Sequence, residues 1–173
     1  MLKVELRSLE HEDLILEEIG PAQVLGIELE PELSPEPLEI HCEISKGHDL
    51  ISAKGWVKGK MLLTCDRCAR EFSSPYKSFF EIHYRAQNEG EEAEPDEVFP
   101  DGEMEIVYFE GDLLDLADQV RQTVLLSVPM RAICREECRG LCSGCGRDLN
   151  FEECVCTEPP PDSRWDVLKK LKF

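Results

Sequence analysis

Eight of the nine cysteines in this 173-residue chain fall into four short pairs, and no other feature constrains the fold as strongly. The pairs are Cys65-x2-Cys68, Cys134-x3-Cys138, Cys142-x2-Cys145 and Cys154-x-Cys156. A turn carrying two thiols presents both sulfurs to one point, and two such turns close a four-sulfur shell. Zinc, Zn(2+), takes four such ligands tetrahedrally as thiolates, with Zn–S near ~2.3 Å. Cys142, Cys145, Cys154 and Cys156 make the first candidate site, because Gly146 after the second cysteine suits a knuckle that needs φ > 0. Cys65, Cys68, Cys134 and Cys138 make the second. Four pairs divide into two sites in three ways, and spacing alone does not choose among them. One compact site from Cys134, Cys138, Cys142 and Cys145 is a further arrangement. Cys42 stands alone in an alternating apolar stretch and reads as a buried small hydrophobe.

The start of the chain, Met1 to Glu12, mixes charge and hydrophobe without the apolar core of a secretory signal. No run approaches the roughly 18 apolar residues of a membrane span. The expectation is a cytoplasmic protein with no membrane contact, where clustered cysteines hold metal more often than disulfides. A complete thiolate shell leaves no position for water, so zinc here would be structural and not hydrolytic. Two other roles compete: reduced cysteines without metal, and redox or iron–sulfur chemistry. A catalytic disulfide at Cys65 and Cys68 would make the protein a thiol oxidoreductase, since C-x-x-C motifs depress thiol pKa. The βαβ context of such enzymes is missing. His11, His41, His48 and His83 are scattered, and no phosphate loop, nucleophile elbow or dinucleotide fingerprint occurs. The chain therefore reads as a non-enzyme with no small-molecule substrate.

Alternating patterns predict strands at Lys3–Arg7, Leu38–Ile44, Leu50–Thr64 and Tyr76–Tyr84, with a short one at 105–110. Asp112 is placed as a helix N-cap. Leu113, Leu116, Ala117, Val120 and Val124 then follow on one helical face, and Pro129 limits the helix. The fold class expected is α+β: an antiparallel β meander or partial barrel, one main amphipathic helix, and a small C-terminal cysteine-rich zinc segment. The expected boundaries are 1–129 for sheet and helix, with an acidic flexible loop at about 87–103. The cysteine-rich segment takes 130–158, and a linker with a short basic C-terminal helix takes 159–173.

The formal net charge is −18, which disfavours indiscriminate binding to nucleic acid. Residues 46–85 depart from this trend, with eight basic and four acidic groups between two acidic regions. Within them Lys54, Trp56, Lys58 and Lys60 alternate and would share one strand face. Cations beside an exposed indole suit RNA phosphate and base stacking. The plainer alternative is a solvated sheet face with Trp56 packed at its edge.

The run Lys60-Met-Leu-Leu-Thr-Cys65-Asp66-Arg67-Cys68 with Phe72 resembles the core motif of the bacterial YceD family, the large ribosomal RNA subunit accumulation proteins. So do Asp112–Leu116 with Leu125–Pro129, the run Cys138–Asn150 with Cys154 and Cys156, and the ending Asp162–Trp165 with Leu168–Leu171. Ser163 stands where the family commonly has proline. The resemblance covers most of the chain from about residue 40. It implies a role in accumulation or maturation of large-subunit (23S) ribosomal RNA and in large-subunit assembly. It also implies a gene that neighbours that of a small, basic large-subunit ribosomal protein. It supplies no catalytic residues. The implied partners are large-subunit ribosomal RNA precursor, a small basic ribosomal protein, or both. In the second case the chain would be an acidic chaperone.

Overall fold

A computed structural model of the chain describes residues 2–9, 13–48, 50–86 and 106–156. The expected acidic loop at 87–103 and the basic helix at 159–173 lie outside these residues. The chain divides into two compact units. One is Met1–Leu63 with Ser73–Met130, and the other is Thr64–Phe72 with Arg131–Phe173.

The first unit is built on a five-stranded sheet of β2 (Leu14–Gly20), β3 (Leu38–Lys46), β4 (Ile51–Thr64), β5 (Glu71–Ala86) and β6 (Ile106–Phe109), in that order. β2, β3 and β4 pair antiparallel. The six residues between β4 and β5 are too few for the crossover a parallel pair requires, so these two also form a hairpin. β6 departs from the expected meander. It lies parallel to β5, His83 opposite Ile106 and Ala86 opposite Phe109, and residues 87–105 supply the connection. The sheet is mixed, and among the described residues it is open, with β2 and β6 at its edges.

Alternation decides which face is buried. Leu38, Ile40, Cys42 and Ile44 of β3 point inward, as do Ala53, Val57 and Met61 of β4. Gly55 lies opposite Cys42. A Cβ there would come 2.1 Å from the His41 carbonyl oxygen and 2.9 Å from Cys42 Cα. Gly55 is thus a close approach of two backbones, not a bulge, and the register of Lys54, Trp56 and Lys58 runs through it unbroken.

The expected helix begins later than its pattern suggested. Leu113–Asp115 forms strand β7, paired antiparallel with β1 (Lys3–Glu5), which places buried Leu114 against buried Val4. The helix, α2, runs Ala117–Leu126, and Asp115 Oδ1, not Asp112, accepts the Ala117 N–H at 3.0 Å. Leu113 is 46% exposed, which explains why it does not belong to the helical stripe. Val120 and Val124 bring α2 into the same apolar cluster as the inner sheet face and the β1–β7 ribbon. A single-turn helix α1 (Ala22–Leu25) follows β2. Among the described residues, no helix is long and apolar enough to cross a membrane.

Candidate metal centres

In the second unit two hydrogen-bonded turns repeat one geometry. In the first, Cys65 N–H donates to Arg70 O and Ala69 N–H to Cys65 O, both at 2.8 Å. In the second, Cys142 N–H donates to Arg147 O at 2.8 Å and Gly146 N–H to Cys142 O at 2.9 Å. The residue after the second cysteine is left-handed in both, Gly146 at φ 74° and Ala69 at φ 55°. Glycine adopts this conformation without a Cβ clash and alanine does not. Ala69→Gly should therefore stabilise the second unit by up to about 1 kcal/mol, and Gly146→Ala should destabilise it by about as much. Chelator titrations followed by circular dichroism would read both changes. Equal effects of the same sign would refute the shared turn geometry.

These turns gather eight sulfurs into two sets. Cys65, Cys68, Cys134 and Cys138 form one, and Cys142, Cys145, Cys154 and Cys156 the other, with the sulfurs of each all within 4.8 Å of one another. In the first, Cys65 and Cys138 lie 3.9 Å apart and Cys68 and Cys134 3.8 Å apart. In the second, Cys154 lies 3.2 Å from Cys142 and 3.6 Å from Cys145. A disulfide needs ~2.05 Å, and all these cysteines are free. A tetrahedron with Zn–S near 2.3 Å has edges of about 3.8 Å, so both sets have the dimensions of a single-ion site. Either set could hold a metal ion. The arrangement that would have mixed Cys134 and Cys138 with Cys142 and Cys145 is not the one formed.

The two sets differ in burial. Cys65, Cys68 and Cys138 are buried and pack with Phe72 and Ile133, whereas Cys145 and Cys156 are exposed. Both contain thiols that ionise easily and thiols that resist. The Cys134 N–H donates to Cys65 Sγ at 3.4 Å and, with the amides of Cys68 and Arg67, lowers that thiol to about 6 against the opposing effect of burial. Burial pushes Cys134 up to about 12. In the other set the amide of Cys145, the Cys154 thiol and the Gly144 amide lower Cys142 to about 6. The neighbouring thiols of Cys154 and Cys145 raise Cys156 to about 12. Against burial, the Gly140 amide and Asn150 lower Cys138 as well. In each crowd of sulfurs some thiols ionise readily, and others are opposed by burial and by their neighbours. A bound dication removes that opposition, because it favours all four thiolates together.

Side chains outside the sulfurs complete the unit. Asp66 accepts the Ala132 N–H at 2.7 Å. Arg67 donates to the carbonyls of Glu136 and Cys138, both at 2.9 Å, tying the first turn to the Cys134–Cys138 segment. Asn150 donates to Cys138 Sγ at 3.5 Å and to Asp148 Oδ1 at 2.6 Å. Its N–H, its side chain and the charges of Arg70 and Arg135 hold the Asp148 carboxyl below its usual range.

Lys54, Trp56, Lys58 and Lys60 are in the first unit, on the outward face of β4. Trp56 stacks on His41 with ring centroids 5.7 Å apart, and Lys77 Nζ lies 4.3 Å from the indole centroid. Each of the three lysines has a carboxylate partner: Lys54 with Glu81 at 2.7 Å, Lys58 with Glu39 at 2.8 Å and Lys60 with Glu36 at 2.9 Å. The expected cationic strip is thus a ladder of alternating charge around a half-covered indole.

Residues 53–172 match the family described as large ribosomal RNA subunit accumulation protein YceD. The chain belongs to the YceD family. The match begins within β4 and takes in both four-sulfur sets. The chloroplastic large ribosomal RNA subunit accumulation protein YCED homolog 1 of Arabidopsis thaliana is 22% identical over 156 residues, covering 79% of this chain and 49% of its own length. The chain thus spans about half the length of that curated relative. No solved structure matches. In this YceD-family chain, residue-by-residue reading overlooked Asp66, Arg67 and Asn150 as supports of the sulfur sets. Their signal was position, since Asp66 and Arg67 lie inside a cysteine pair and Asn150 midway between two pairs, but a polar residue in a turn does not announce which distant atom it reaches.

Proposed function

We propose that the protein is a non-enzymatic factor supporting accumulation or maturation of large-subunit ribosomal RNA, acting in the cytoplasm by direct contact with precursor RNA. Zinc at both four-cysteine sets would hold the second unit in shape. The observation that carries this reading is the closed donor set. All eight paired cysteines are consumed in two four-sulfur shells, so a metal bound there has no open position for a substrate. Thiolate sets of this kind suit zinc or iron–sulfur clusters. The short sulfur separations favour one ion, because a cluster spreads its ligands farther apart. The name of the plant relative and the family to which the chain belongs support the link to ribosomal RNA.

For RNA contact on the sheet, what supports the reading is the Trp56 face. Surface ion pairs of this kind contribute only about 0–1 kcal/mol, so phosphates can compete for the lysines. Replacing Lys54, Lys58 and Lys60 together with Gln should weaken binding to large-subunit RNA fragments and flatten its salt dependence. Fewer counterions would be released, and Glu36, Glu39 and Glu81 would be left uncompensated on the face. Binding measured at several salt concentrations, with a thermal melt to check folding, provides the test. Unchanged affinity in the folded triple variant would remove the site from this face.

A second reading, an acidic chaperone for a small basic ribosomal protein, is favoured by the same carboxylates. A face whose lysines are already matched by glutamates, on a chain of net charge −18, suits a basic partner as well as it suits phosphate. Absence of RNA binding by the unmodified chain at low salt, with salt-sensitive capture of the basic protein, would decide for it.

A further inference from the structure

Beside its sulfur sets, the second unit gathers arginines around one exposed aromatic ring. Phe151 follows a tight turn, its N–H donating to Asp148 O at 3.1 Å, and it is 64% exposed. The Arg70 guanidinium carbon lies 4.4 Å from the ring centroid and that of Arg135 5.9 Å. Both guanidiniums have a second anchor. Arg70 Nε is 3.8 Å from Asp148 Oδ2, and Arg135 donates to Asn150 Oδ1 at 2.9 Å. The same oxygen accepts the backbone N–H of Arg139 at 2.8 Å, so the main chain of a third, exposed arginine is anchored at this edge. Glu152, next to the ring, is engaged by Arg147 at 3.7 Å.

We propose that Phe151, with Arg70, Arg135 and Arg139, forms a contact site for single-stranded RNA. One unpaired base stacks on the Phe151 ring, and the adjoining phosphates take the remaining guanidinium N–H groups. The site rests on the reading of the protein as an RNA-contacting factor and is independent of the Trp56 face. A flat ring with planar cations around it recognises the π-face of a base, which a paired strand does not offer. Guanidinium groups suit phosphate geometrically, because their planar fork donates two parallel hydrogen bonds. An acidic peptide would meet the same cations but brings no unpaired base to stack on the ring. Asn150 also joins the site to the first sulfur set, since its amide bonds Cys138 while its oxygen holds Arg135.

The test uses the full chain loaded with zinc and a fluorescent oligouridylate of about ten nucleotides, read by anisotropy over a range of salt. Phe151→Leu should weaken binding by about tenfold with the salt slope unchanged, because stacking is not a phosphate contact. Phe151→Tyr should stay within about twofold of the unmodified chain, because it keeps the π-face. Arg135→Gln with Arg139→Gln should weaken binding and shallow the slope by one to two counterions, in keeping with about one per phosphate contact. Metal content and melts establish that each variant is folded. Unaltered affinity in folded Phe151→Leu overturns the site while leaving RNA binding by the protein intact. Should Phe151→Leu fail to fold, an unchanged slope in the double arginine variant overturns it instead. If the unmodified chain binds neither the oligouridylate nor a large-subunit RNA fragment at low salt, the RNA reading and this site fall together.

Discussion

Stripping metal from the purified chain should unfold residues 131–156 and leave the five-stranded sheet standing. The second unit has little else to hold it. Its apolar cluster consists of Cys65, Cys68 and Cys138 with Phe72, Ile133 and Cys134, so the clustered cysteines are themselves most of the core. Within 131–156, the described backbone pairing amounts to one bridge, Leu141 with Asp148, and several turns. Structural zinc in small sites contributes about 10–16 kcal/mol to folding, far more than this cluster could supply by burial. The first unit keeps its own core of inward sheet residues, α2 and the β1–β7 ribbon. Hydrogen exchange with and without chelator would separate the two. Protection should vanish across 131–156 and persist in β3 and β4. The exposed set of Cys142, Cys145, Cys154 and Cys156 should release its ion before the buried set does. Two equivalents of zinc should accompany the untreated chain. Less than half an equivalent, or unchanged protection after metal removal, would sink the structural-metal reading.

Gly55→Ala should cost the first unit about 3 kcal/mol, the upper range for a side chain forced into a packed interior. The new Cβ would meet backbone on the neighbouring strand, 2.1 Å from the His41 oxygen and 2.9 Å from Cys42 Cα, and neither can rotate away. β3 and β4 would have to part at the middle of the sheet. The loss corresponds to roughly 10 °C in melting temperature for a unit of this size. A change below about 0.5 kcal/mol, the range of an ordinary surface substitution, would mean that the two strands do not run in the register described.

What could be read from the chain without coordinates follows from how local each signal was. β3 and β4 were legible because inward Leu38, Ile40, Cys42 and Ile44 alternate with polar neighbours. β2 was not. Ile15 and Ile19 lie on its outward face, 62% and 75% exposed, while Leu14 and Leu16 lie on the other, so the apolar residues do not alternate. Leu114 was absorbed into a helical pattern because three residues of β7 are too few to show a period of two. Its partner Val4 lies more than a hundred positions away. The parallel placement of β6 was illegible for the same reason: direction relative to β5 is set by the connection between them, and the strand's own residues do not carry it. The cysteines announced clustered sulfurs by spacing alone. Which pairs share a shell depended on Arg67 and Asp66 reaching the 132–138 segment, and those hydrogen bonds have no sequence signature.

Cys42, the cysteine outside both shells, is wholly buried between Leu16 and Gly55 on adjacent strands, and burial, with a smaller contribution from the charge of Glu43, pushes its thiol up to about 12. At neutral pH it is inert to alkylating reagents until β2, β3 and β4 separate. The protein thus has a native stopwatch. The time at which a ninth thiol becomes labelled measures how often the sheet opens, while the other eight, if they hold metal as proposed, would record its loss. One mass spectrum taken along a labelling course would report both clocks from the same molecule, without a substitution or an added probe.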